Sequence, residues 1–216
     1  GAVYTTDQTA GRGRLGRGWV DAPGKGLYYT AVIKTDLAQP STLPLFASLA
    51  VCDALKQRYG IDCQIKWPND LLLNGKKIVG ILCEVAPDGH SLVVGIGINL
   101  AQPQEYFDMA GLPHGTSLLL QGVNVDLDTD PEWLAQYMTD FGFDRALYTY
   151  EEQGFAPYRE QYKAQCVNLG RRVTYDGGAG IAKDIDEEGR LIVHDESGDT
   201  HVFTGEVSVH GIYGAV

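Results

Sequence analysis

Hydrophobic positions fall along this chain in two rhythms, and their succession outlines the elements. Residues 27–34 (LYYTAVIK) are β-branched and aromatic, a composition that suits a buried strand, and the opening residues 2–6 (AVYTT) are strand-like in the same way. Residues 43–58 (LPLFASLAVCDALKQR) instead carry apolar side chains at helical spacing and stop before Tyr59-Gly60, so they predict a helix. Residues 64–85 (QIKWPNDLLLNGKKIVGILCEV) read as two strand-like runs joined by Asn74-Gly75. Both of those positions tolerate the positive φ of a type I′ turn, which predicts a β-hairpin. Residues 91–100 (SLVVGIGINL) predict a further buried strand whose glycines let another group approach the backbone closely.

The rhythm changes twice more. Asp130-Pro131 has the composition of a helix N-cap and first-turn pair, opening an interrupted helical region from Glu132 to about Gln165. From Asn168 onward, short strands alternate with Asp/Gly turns. They predict a small all-β module of about 45 residues, too small for much core of its own and therefore expected to pack on the main domain. The division this predicts is a main domain over 1–166 and a small β domain over 167–216.

Composition narrows the function classes. With 216 residues and 44% hydrophobic content, the chain is long enough for one substantial core plus an appendage. Its formal net charge of -11 argues against a surface that as a whole attracts nucleic acid or an anionic membrane, so any anion must meet a local patch. Much of that excess lies in residues 176–206, where nine Asp/Glu face only Lys183 and Arg190. No stretch reaches the roughly 18 to 20 apolar residues that a membrane span needs. Cys52, Cys63, Cys83 and Cys166 lie far apart and read as apolar fillers in a reducing cytoplasm. Asp126, Asp128 and Asp130 imitate the start of a calcium loop, but Pro131 and Tyr137 stand where glycine and glutamate are required. The five histidines are scattered and receive no chemical role. Because the chain begins with Gly1 and enters a strand-like run at once, a preceding segment is expected.

Three motifs carry candidate chemistry. Residues 8–19 (QTAGRGRLGRGW) contain a formal GxGxxG in Gly11, Gly13 and Gly16, yet the breakers in GWVDAPGKG leave no helix to face a dinucleotide pyrophosphate. Arg12, Arg14 and Arg17 are instead threaded between glycines, so guanidinium groups and bare backbone N–H groups can grip an anion together. In the second motif, Lys66-Trp-Pro-Asn-Asp70, the hairpin through Asn74-Gly75 is expected to return Lys77 towards Asn69 and Asp70. A lysine there can neutralise charge where a carboxylate meets an α-phosphate. In the third, Gly95-Ile-Gly-Ile-Asn99, the glycines clear space for a flat ring and the asparagine can both donate and accept.

Taken in order, GRGRxGRxW, KWPND with a following KKxxG, and GxGxN resemble the catalytic domain of the biotin protein ligases. The terminal all-β segment, through Gly205-Glu-Val-Ser208, resembles that family's small SH3-like domain. The resemblance implies an α+β fold with a mixed, mainly antiparallel sheet, class II synthetase-like, followed by a small β-barrel. It implies that Gln8, Gly11, Arg12, Gly13, Arg14, Arg17, Trp19, Lys77, Gly80, Gly95 and Gly97 surround biotin or its adenylate. Lys77 and Arg14 would be catalytic. Lys66, Asn69, Asp70 and Asn99 would serve ATP, with Asp70 also meeting its magnesium. The implied partners are ATP, Mg2+, biotin and a biotin carboxyl carrier protein of acetyl-CoA carboxylase or a related carboxylase, in the cytoplasm. A homodimer is left open. The family's upstream Ser-Thr-Asn element has no counterpart in residues 1–7. Two other readings compete: a lipoate or octanoyl transferase-like enzyme, and a noncatalytic nucleotide- or RNA-binding module. Steep salt dependence would mark the RNA module, and saturable biotin and ATP binding the ligase.

Overall fold

The computed structural model describes residues 1–14, 17–19, 22–34, 37, 39–203 and 205–213, leaving aside the side chains of 18 and 19. The strands are β1 (Ala2–Thr5), β2 (Gly11–Arg12), β3 (Gly18–Trp19), β4 (Gly26–Lys34), β5 (Gln64–Lys66), β6 (Asp70–Leu73), β7 (Lys76–Val85) and β8 (Ser91–Asn99), then β9 (Arg172–Tyr175), β10 (Gly178–Ile185), β11 (Leu191–Asp195), β12 (Gly198–Val202) and β13 (Ser208–Val209). The helices are α1 (Leu43–Tyr59), α2 (Gln104–Met109), α3 (Asp130–Tyr137), α4 (Leu147–Gln153) and α5 (Arg159–Gln165), with a π-helical segment, Met138–Ala146, joining α3 to α4.

Six strands form one antiparallel sheet in the order β1-β4-β8-β7-β6-β5. Its inner face presents Leu27, Tyr29, Ala31 and Ile33 from β4 with Leu92, Val94, Ile96 and Ile98 from β8, all buried in one core with α1. Apolar residues surround α1 on most sides, as expected of a helix enclosed in the core. Its end is set by Gly60, which takes the left-handed conformation at φ 68 and donates its N–H to the Lys56 carbonyl.

The expected hairpin forms, with Asn74 and Gly75 at φ 52 and 77. The first of its two runs, however, is split. Trp67-Pro68, a cis peptide, breaks it into β5 and β6, because proline brings no N–H to a ladder. Asp130 also departs from expectation: it does not cap α3 with its side chain. Its carboxylate is buried and accepts bonds from Arg58, from the Tyr59 hydroxyl at 2.7 Å and from the Asp126 N–H at 2.9 Å.

The terminal strands form a separate five-stranded antiparallel sheet, β12-β11-β10-β9-β13. Among the described residues no ladder joins β12 to β13, so the sheet stays open where a closed barrel was expected. It packs on the main body as anticipated. The buried Trp67 indole donates to the Gly189 carbonyl at 2.9 Å, and the Trp67 N–H donates to the Asn168 side chain at 2.8 Å. Arg159 reaches the Ile185 carbonyl and the Asp184 carboxylate.

Candidate functional site

The site is built on the face of the large sheet turned away from α1. Antiparallel register sets Lys66 opposite Asp70, Asp70 opposite Gly80, Gly80 opposite Gly97 and Gly97 opposite Tyr28. The adjacent row sets Leu82 opposite Gly95 and Gly95 opposite Thr30. Gly80, Gly95 and Gly97 therefore make a floor without side chains running towards the charged residues at β5 and β6. A Cβ added to Gly95 would meet nothing nearer than the Leu82 carbonyl oxygen at 3.7 Å. Packing does not exclude a side chain there, so its glycine keeps open the space above the sheet.

At the end of this floor the hairpin folds Lys77 back onto Asp70, Nζ to Oδ1 at 2.9 Å, with side-chain exposures of 29% and 16%. The start of β7 is braced from outside the sheet: the Lys77 N–H donates to the His114 carbonyl and the Thr116 N–H to the Lys77 carbonyl. Lys66 stands across from Asp70. Burial pushes the Lys66 ammonium below the ordinary lysine value, Asp70 opposes that shift, and Lys77 and Arg14 add to it. Tyr213, from the end of the second sheet's module, also arrives here, its hydroxyl 3.4 Å from Asp70 Oδ2.

The arginine segment forms a hairpin of two short strands, β2 and β3, with the Gly13 N–H donating to the Arg17 carbonyl at 2.7 Å. Among the described residues no α-helix follows the glycines. Arg14 projects to the cluster: Nη1 donates to Asn69 Oδ1 at 3.0 Å and Nη2 to the Gly205 carbonyl at 3.0 Å. The buried Asn69 completes the link by donating Nδ2 to the Ile81 carbonyl. Arg17 pairs with Glu206 at 2.7 Å on the surface, whereas Arg12 is exposed on β2. Gln8 is half-buried just ahead of Gly11 in this hairpin. The side chain of Trp19 lies outside the described residues.

Most of the residues singled out from sequence thus meet in one place: Arg14, Lys66, Asn69, Asp70 and Lys77 beside the floor of Gly80, Gly95 and Gly97. Asn99 differs. It closes β8 on the same face, but its amide donates to the Thr116 carbonyl at 3.0 Å and accepts from Gln102 at 3.3 Å, so both ends brace the loop after β8. Sequence reasoning missed Tyr213, His114 and Thr116, because nothing local marks a residue that reaches the site from a distant loop or tail. The arrangement can hold an anion between Lys77, Lys66 and Arg14 while a flat group lies on the glycine floor.

Comparisons with known proteins agree with this architecture. Residues 1–100 match the model of the Biotin/lipoate A/B protein ligase family, and residues 169–210 that of the Biotin protein ligase C terminal domain. The biotin--[acetyl-CoA-carboxylase] ligase of Paracoccus denitrificans is 34% identical, over 97% of this chain and 90% of that protein. The bifunctional ligase/repressor BirA of Bacillus subtilis is 31% identical over 96% of this chain, which spans 65% of that relative's length. Among solved structures, the biotin protein ligase from Aquifex aeolicus in complex with biotin and ATP superposes with a TM-score of 0.77 at 28% identity, covering 97% of this chain and 88% of that one. The two matched regions follow the order of the two sheets, the Paracoccus relative is aligned over nearly its whole length, and the chain belongs to the biotin protein ligase family.

Proposed function

We propose that this chain is an ATP-dependent biotin protein ligase that forms biotinyl-5'-AMP and transfers biotin to a lysine of a biotin carboxyl carrier protein. One observation carries the reading: Lys77, paired with Asp70, and Arg14, anchored on Asn69, converge at the end of a sheet floor made of glycine. A biotin carboxylate and an ATP α-phosphate repel each other, and a fixed cation between them lowers the barrier to their reaction. Lys77 fills that role, and Asp70 holds its ammonium in place. The carboxylate oxygen forms the new bond to phosphorus and pyrophosphate leaves. The carrier lysine amine then attacks the acyl carbon, AMP departs, and the amine's surplus proton passes to solvent. Arg14 and its neighbours Arg12 and Arg17 hold the mixed anhydride and keep water from it.

Magnesium fits this donor set as an ion carried on the ATP phosphates. Asp70 offers the hard carboxylate oxygen that magnesium prefers, and its two oxygens also meet Lys77 and the Tyr213 hydroxyl. When bound, the ion neutralises charge on the departing pyrophosphate. The relatives support biotin and ATP as substrates, since the Aquifex aeolicus protein was solved with both. Division into a catalytic part over 1–166 and a terminal part over 167–216 belongs to the same reading, as does action in the cytoplasm. Among the described residues no helix is long and apolar enough to cross a membrane.

The test is transfer itself. Incubation with biotin, magnesium, ATP and a carrier domain is expected to attach biotin to one lysine, read by intact mass and peptide mapping. An unmodified carrier, under conditions where a known ligase modifies it, contradicts the proposal.

A further inference from the structure

The tail after β13 takes a defined route back to the main body. The His210 N–H donates to the Arg172 carbonyl, Arg171 donates to the His210 carbonyl, Gly211 turns the chain at φ 78, and Ile212 is buried. Tyr213 follows with φ 56, a left-handed conformation that a bulky residue keeps only where its surroundings fix it. Three contacts do so here. The ring stacks on His114 at 5.0 Å with an interplanar angle of 20°, the Lys66 ammonium lies over the ring at 5.2 Å, and the hydroxyl points to Asp70 Oδ2 at 3.4 Å.

We propose that Tyr213 is a positioning residue for the nucleotide end of the site, fixing the Lys66 ammonium and the Asp70 carboxylate where the ATP phosphates arrive. This rests on the ligase reading above and adds to it a contribution from the terminal module. The ring's electron-rich face steadies a cation that burial otherwise disfavours. The hydroxyl holds the Asp70 oxygen that Lys77 does not take. Because the ring is wedged on His114, whose carbonyl also receives the Lys77 N–H, the tail and the start of β7 share one support.

Calorimetric titration of the whole chain with magnesium-ATP and, separately, with biotin tests this. Tyr213→Ala and Tyr213→Leu are each expected to weaken ATP binding about tenfold, the scale of a partly desolvated cation–π contact, while biotin binding stays unchanged. Tyr213→Phe keeps the ring and is expected to bind ATP within about threefold of the parent. Thermal melts of each variant report folding, and Tyr213→Leu, which keeps apolar bulk without an aromatic face, separates loss of the ring from loss of the tail's packing. Unchanged or tighter ATP binding in Tyr213→Ala and Tyr213→Leu overturns the assignment, as does equal loss of ATP and biotin binding. A parent that binds ATP but not biotin sinks the ligase reading, while the ATP titrations still decide Tyr213. A parent that binds no ATP overturns both.

Discussion

Lys77 Nζ lies 2.9 Å from Asp70 Oδ1, across a hairpin whose turn residues, Asn74 and Gly75, both take positive φ. The turn thus places a cation beside the carboxylate, and the chemistry proposed for the chain depends on that cation. Lys77→Ala is expected to lower biotin-dependent adenylation by about a hundredfold or more, as removal of a transition-state charge partner does elsewhere. Both side chains sit at the edge of the core, so the fold should survive, and a thermal melt beside the rate assay distinguishes the two effects. A variant that adenylates at the parent rate removes Lys77 from the mechanism.

Arg14 and Arg17 lie three residues apart in one hairpin but are held differently. Arg14 is half-buried and bonds Asn69 and Gly205, whereas Arg17 and Glu206 form a pair with side chains 69% and 55% exposed. Arg14→Ala is expected to raise the biotin KM and to speed release of adenylate, read in a single-turnover chase. Glu206→Ala, which breaks this exposed pair and removes one of the negative charges that favour the Lys66 ammonium, should change stability by less than about 1 kcal/mol.

The glycine floor separates folding from binding. Gly95→Val adds a side chain where the nearest atom to its Cβ is a carbonyl oxygen at 3.7 Å, and valine suits a strand. The variant should melt near the parent temperature while losing biotin affinity by more than about tenfold, since its methyl groups rise into the proposed ligand space. Full affinity in a folded Gly95→Val would move the ligand off this floor.

Acid sensitivity should arise in part far from the site, at Asp130. Burial alone would raise its pKa, but the Tyr59 hydroxyl, the Asp126 N–H and the Arg58 guanidinium outweigh burial and hold the carboxyl below the usual range. Its folded pKa is therefore lower than the unfolded value of about 3.9. The stabilisation is fully present above that value and is lost as pH falls through the folded pKa. Asp130→Ala, which removes the acceptor shared by Arg58, the Tyr59 hydroxyl and the Asp126 N–H, is expected to cost about 3 kcal/mol in denaturant titrations near pH 7, and the deficit should shrink towards pH 3. A deficit that does not change with pH contradicts this.

The β-branched run of β4, the helical spacing of α1, the Asn74-Gly75 turn and the switch to short strands after Asn168 were legible because each rests on local pattern. The meeting of Lys77 with Asp70 followed from the hairpin. Three features did not follow from pattern. Trp67-Pro68 breaks what reads as one strand into two, and Asp130 spends its carboxylate on residues from α1 and the preceding loop instead of on its own helix. Tyr213 reaches Asp70 from 143 residues away, a contact that only the packing of the second sheet creates.

The most direct measurement is ATP–pyrophosphate exchange with magnesium, comparing biotin, lipoate and no added acid. Exchange with biotin alone, abolished by Lys77→Ala, is the result this account predicts. Exchange with lipoate and not with biotin, or none with either acid while ATP still binds, would contradict it.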